Sequence, residues 1–137
     1  MSLKEIPEKE LSQRQLEIAA KYWKERLRIL EWETEILIKY DELTDSKGND
    51  ALGRIDVDDF NKFARIRLMV VSDRASADLD RPHNMEVYLI HELLHLKFHT
   101  VEELAEKKLK KSDTLMMQHE AAIQSLAEAL YRERYGL

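Results

Sequence analysis

The chain has 137 residues, 44% of them apolar and 36% charged, enough for one domain over residues 1–137 with a buried core and a well-charged surface. A net charge of −5 argues against a nucleic-acid-binding module, and the absence of cysteine excludes a disulfide framework, a thiolate metal site and a catalytic thiol. No apolar run approaches a membrane span, and the charged stretch Met1–Glu10 is unlike a signal peptide, so the expected location is cytoplasmic.

Residues 12 to about 30 read as a first helix. Ser12 and Gln15 fit a capping box, Leu11 and Leu16 a hydrophobic staple, and Leu16, Ala19, Ala20, Trp23, Leu27 and Leu30 recur at helical spacing. The pattern then changes to period two. Trp32, Thr34, Ile36, Ile38 and Tyr40 alternate with Glu33, Glu35, Leu37 and Lys39, which predicts a strand. Asp45 to Asp50 reads as a turn. Leu52 to Val57 is a second strand, in which Gly53 marks a bulge or a close approach. Phe63 to Val71 is a third. Three consecutive short strands suggest a small antiparallel meander. Arg54, Arg65, Arg67 and Arg74 read as its solvated face.

Residues 72 to 83 are polar and read as a loop feeding a helix that starts near Pro82 to Asn84 and ends near His99. Val87, Leu89, Ile90, Leu93, Leu94, Leu96 and Phe98 make that helix apolar nearly all round, as a buried helix is. Within it lies His91-Glu92-Leu93-Leu94-His95, an H-E-x-x-H motif. Residues four apart project from one helix face, a spacing that lets two imidazoles hold one Zn²⁺, with Glu92 beside them as general base. A chain of this composition holds about 0.02 such matches by chance, and polar groups inside a buried helix need partners, so metal ligation outweighs a pair of ordinary core histidines. Thr100 and Glu103 then fit a capping box for a short helix to about Lys111, and Ser112 or Asp113 caps a last helix to about Tyr135.

A catalytic zinc usually takes three protein ligands. The metzincin pattern is excluded, because Phe98 and Val101 stand where it needs Gly and His. Glu120 falls on the core-facing stripe Met116, Glu120, Ile123, Ala127 and Leu130, where a carboxylate wants a cation. His119, on the neighbouring stripe with Leu115, Ala122 and Leu126, is the rival. His99 shares the helix face of His95 and reads as a supporting or structural residue, and His83 as a solvated loop residue.

The stretch Val87 to Leu96, with His119-Glu120-Ala121-Ala122-Ile123 and Leu126 to Leu130, resembles gluzincin-type zincin metallopeptidases, and most closely the small soluble minigluzincin-like proteins. The resemblance implies a minimal α+β zincin-like fold: an N-terminal backing helix, a small three-stranded, mostly antiparallel sheet, an active-site helix and a C-terminal glutamate helix. It implies zinc on His91, His95 and Glu120 with Glu92 as general base. Larger gluzincins use a His or Tyr from a separate domain to stabilise the transition state; the residues available here for that role are Tyr88, Tyr131 and His119. The expected function is zinc-dependent hydrolysis of a peptide or protein substrate, with an extended peptide pairing along the strand near Phe63 to Val71, no nucleic-acid or membrane partner, and room for a regulatory protein. The alternative is a zinc-binding regulatory or interaction module with little turnover.

Overall fold

A computed structural model describes residues 4–39, 43–44, 50–51, 53–70, 82–108 and 113–137. The elements run α1 (Gln13–Arg26), β1 (Glu33–Lys39), β2 (Leu43–Thr44), β3 (Asp50–Ala51), β4 (Gly53–Asp58), β5 (Phe63–Met69), α2 (Met85–Lys97), α3 (His99–Lys108) and α4 (Asp113–Tyr135). This is an α+β arrangement with four helices and a small three-stranded mixed sheet, in the expected element order.

The Ser12–Gln15 capping box starts α1, which buries Leu16, Ala19, Ala20 and Trp23. The helix stops earlier than its apolar periodicity predicts. Arg28 takes a left-handed conformation at φ 58°, and Leu30 is exposed beyond it. The turn leads back to Trp32, which is buried beside β1.

The sheet corrects the meander. Its strand order is β1-β5-β4, with β1 parallel to β5 and β4 antiparallel to β5. The third strand in sequence is therefore the central one. Burial explains the order. Ala64, Ile66, Leu68 and Met69 of β5 are all buried, whereas β4 carries Arg54, Asp56 and Asp58 and tolerates an edge. Between β1 and β4, β2 and β3 pair as a two-residue antiparallel ladder, with most of the expected turn lying outside the described residues. Leu52, Tyr40 and Val71 lie outside the described residues. The arginines do line a polar face, each beside an acid. Arg65 bonds Glu35 at 3.1 Å, and Arg54 and Arg67 share Asp56 at 3.3 and 2.7 Å. Arg74 lies outside the described residues.

This order also corrects the strand assigned to peptide pairing. Both edges of β5 are taken by β1 and β4, so it has no free ladder to offer. The edges are β1 and β4. Gln13 Nε2 covers one β1 carbonyl by donating to Ile36 O at 2.5 Å.

Asn84 caps α2, its side-chain oxygen accepting from the backbone N–H groups of Glu86 and Val87. The helix is buried from Met85 to Leu94 and contacts α1, β4, β5, α3 and α4. At its end the Thr100 capping box does not form. Helical bonding runs on through the junction, with Glu102 N–H donating to Phe98 O at 2.9 Å, so α3 begins directly at His99. Ile123, Ala127 and Tyr131 form the buried stripe of α4. Ser112 lies outside the described residues. No helix among them is long and apolar enough to cross a membrane.

Candidate metal centre

The buried course of α2 fixes where its polar residues can point. His91 and His95 come one turn apart on the side that meets α4 and α3, and Glu92, one step around, turns toward the sheet. On α4, Glu120 lies one turn before Ile123 and so continues the buried stripe to its polar end.

The three predicted ligands meet. Glu120 Oε2 is 3.0 Å from His91 Nε2, and Glu120 Oε1 is 2.9 Å from His95 Nε2. The outer nitrogens are held as well. His91 Nδ1 bonds Gln124 Oε1 at 2.8 Å, and His95 Nδ1 bonds Glu102 Oε2 at 2.9 Å. With Nδ1–H donated outward, each ring presents Nε2 inward, the tautomer a metal-binding histidine needs. Two donors bound to one zinc at about 2.0–2.1 Å in tetrahedral directions lie about 3.3 Å apart, so the observed separations need to open by only a few tenths of an ångström. Two imidazoles and a carboxylate suit zinc in chemistry and in spacing.

Charge runs the same way. Burial would lower the His95 pKa, but hydrogen bonds to Glu102 and Glu120 and the nearby Glu92 carboxylate raise it to about 10. Burial would likewise raise the Glu120 carboxyl, yet the bonds from His91 and His95 hold it well below its ordinary range. Glu102 is held low by His95 and His119 against the effect of burial. The cluster is built to stabilise positive charge at its centre, where a divalent cation would displace the His95 Nε2 proton.

Glu92 is 6% exposed and lies against the start of β4. A Cβ built on Gly53 would stand 3.0 Å from Glu92 Oε1 and 3.1 Å from both Glu92 Cγ and Leu68 Cδ2. The close approach expected at Gly53 is thus the seat of Glu92. Gly53→Ala should displace the Glu92 side chain while leaving metal binding intact. Peptide hydrolysis should fall by about tenfold or more if Glu92 is the base, since small misplacements of a catalytic group are costly. Unchanged hydrolysis by a correctly folded variant would remove Gly53 from the site.

The other histidines separate cleanly. His119 is 42% exposed at its side chain and bonds Glu102 at 2.8 Å, with its ring 5.9 Å from that of His95. It neighbours the triad without replacing Glu120. His99 faces away, toward Asp59 and Glu103. His83 is half-buried rather than freely solvated, with its ring 3.4 Å from the Tyr88 hydroxyl. Tyr131 is buried in the core against Tyr135. Glu102 and Gln124 carry no ligand motif in the sequence. Their sequence signals are helical offsets, four residues from Glu120 to Gln124 and seven from His95 to Glu102. A groove of about 570 Å³ between α1 and β1, lined by Ala20, Lys24, Thr34, Ile36, Leu37 and Phe63, includes none of these side chains. Comparison with protein-family models, with curated proteins and with solved structures finds no significant match to this chain.

Proposed function

We propose that the chain is a zinc-dependent metallopeptidase of minimal zincin type, with His91, His95 and Glu120 as ligands and Glu92 as general base. One observation carries this reading: the inward nitrogens of an H-E-x-x-H helix converge on the two oxygens of a single glutamate from another helix, with both outer nitrogens anchored. When bound, zinc would acidify water and polarise a carbonyl. Glu92 accepts a proton from the attacking water as its oxygen bonds to the scissile carbon. It then gives that proton to the amine as the C–N bond breaks. The bare Cα of Gly53 leaves the room that the Glu92 carboxylate occupies during both transfers. Among the described residues β4 forms a ladder with β5 alone and comes near β2; an extended peptide would pair along its outer edge, which begins beside Glu92. His119, half-exposed beside His95, is the group best situated to donate to the carbonyl oxygen.

A second reading, a zinc-binding module without turnover, is favoured by one observation. Of the three residues considered for transition-state stabilisation, Tyr131 is committed to the core and Tyr88 lies beside His83, leaving His119 alone. Metal analysis with a peptide-library assay separates the two readings: both bind zinc, and only the peptidase cleaves.

The ligand assignment has its own test. His91→Ala and Glu120→Gln should each weaken zinc binding by more than about 100-fold, while His119→Ala, which reaches the site through Glu102, should cost about tenfold or less. Competition with a chelating dye reads these affinities. The opposite ranking of Glu120 and His119 would give His119 the ligand role.

A further inference from the structure

We propose that Asp59, His99 and Glu103 form a second divalent-cation site, which clamps the β4–β5 turn to the first turn of α3. His99 and Glu103 come from α3, four residues apart on one face, and Asp59 comes from the turn after β4. His99 Nε2 lies 2.8 Å from Asp59 Oδ2 and 3.4 Å from Glu103 Oε1, values that bracket the ligand–ligand spacing of about 3.3 Å in a tetrahedral zinc site.

Two features favour a cation over a simple ion pair. The first is the number of protons. Nε2 carries at most one hydrogen, and its short contact is to Asp59, so the ring leaves Glu103 poorly served. The second is the approach of the acids. A carboxylate oxygen of Asp59 and one of Glu103 lie within 4.8 Å of each other, so the two acids repel when both are ionised. A divalent ion satisfies all three groups at once. Nearby groups accommodate it. Asp58 adds negative charge while its oxygens stay engaged with Phe60 and Asn61. Among the described residues, Lys62 brings positive charge near Asp59, with its ammonium 4.7 Å from the centre of the Trp32 ring. That same Trp32 packs edge-on against His99 at 6.3 Å and 84°, fixing the imidazole so that Nε2 faces the carboxylates. One imidazole and two half-exposed carboxylates suit Zn²⁺ or Mn²⁺ completed by water.

The cluster His95, Glu102 and His119 is a weaker candidate, because it shares His95 with the first centre and needs the Nδ1–H that Glu102 anchors. The site at His99 shares no residue with His91, His95 and Glu120, and the inference does not rest on their reading.

The test follows the five histidine rings of the full chain by NMR at constant pH while Zn²⁺ alone is added past one equivalent. The expected result is that an equivalent of Zn²⁺ moves the His99 ring signals. Asp59→Asn and Glu103→Gln, both partly exposed and safe for folding, should each raise the concentration needed by about tenfold or more. If the centre at His91 and His95 takes zinc, His99 responds to the second equivalent; if it does not, His99 responds to the first, so the two claims fail separately. A His99 ring unmoved by excess Zn²⁺ overturns the site. So does a shift that survives both substitutions, and so does added zinc that moves only His119.

Discussion

Replacing Glu92 by Gln should leave zinc binding and fold in place and lower peptide hydrolysis by about 10²–10⁴, the usual worth of general acid–base catalysis. Gln is nearly isosteric, so it fits the space beside Gly53 and avoids the cavity that Ala would leave. What it cannot do is take a proton from water. Adjacent residues on a helix point about 100° apart, which turns Glu92 away from the convergence of His91, His95 and Glu120 and makes it a neighbour of the metal position. Loss of metal from Glu92→Gln would therefore contradict its role as a base beside the ion. Cleavage at the wild-type rate would rule out the mechanism. If the wild type, with zinc bound, cleaves nothing across a diverse peptide library, the non-catalytic module is the better description.

The residues that announced the site were those whose geometry is local. His91 and His95 share a face because one helix carries both, and the apolar residues around them marked that helix as buried. Glu120 could be read because its stripe continues through Ile123 and Ala127. The Ser12–Gln15 cap was legible for the same reason, being complete within four residues. What was not legible depends on partners distant in the chain. The centrality of β5 is decided by how much of its surface two other strands can cover, which no local period encodes. Alternation in β1, β4 and β5 is the same whether they form a meander or the observed β1-β5-β4 order. Thr100 and Glu103 carry a capping pattern, yet α2 runs into α3 without leaving helical bonding, and this brings Glu102 back onto His95. Glu103 is used instead beside His99 and Asp59. Glu86 is the clearest omission. A glutamate in the first turn of a helix reads as an exposed complement to the helix dipole.

Glu86 is instead 2% exposed, and its replacement by Ala should be the most destabilising single change away from the metal centre. Its carboxylate receives four donors from three other parts of the chain. Oε1 accepts from Lys9 Nζ at 2.9 Å and from the Tyr135 hydroxyl at 2.6 Å. Oε2 accepts from Trp23 Nε1 at 2.8 Å and from Arg134 Nη1 at 2.6 Å. The N-terminal segment, α1 and the end of α4 are thereby tied to the start of α2, one and a half turns before His91. Removing the acceptor leaves two cations and two neutral donors facing one another around a void. Breaking a buried pair in this way costs about 3–5 kcal/mol, which lowers the melting temperature of a chain this size by roughly 10 °C or more. The same group makes stability depend on acid. Burial would raise the Glu86 pKa, but the bonds from Tyr135, Lys9 and Trp23 outweigh it and hold the carboxyl below its ordinary value of 4.5. The folded state therefore binds that proton more weakly than the unfolded state. The contribution is fully present above pH 4.5 and is lost as the pH falls through the depressed folded value. Urea denaturation of the metal-free chain between neutral pH and pH 3 should show the wild type losing its advantage over Glu86→Ala as acid is added. Parallel stability curves for the two proteins would mean that Glu86 contributes through shape alone.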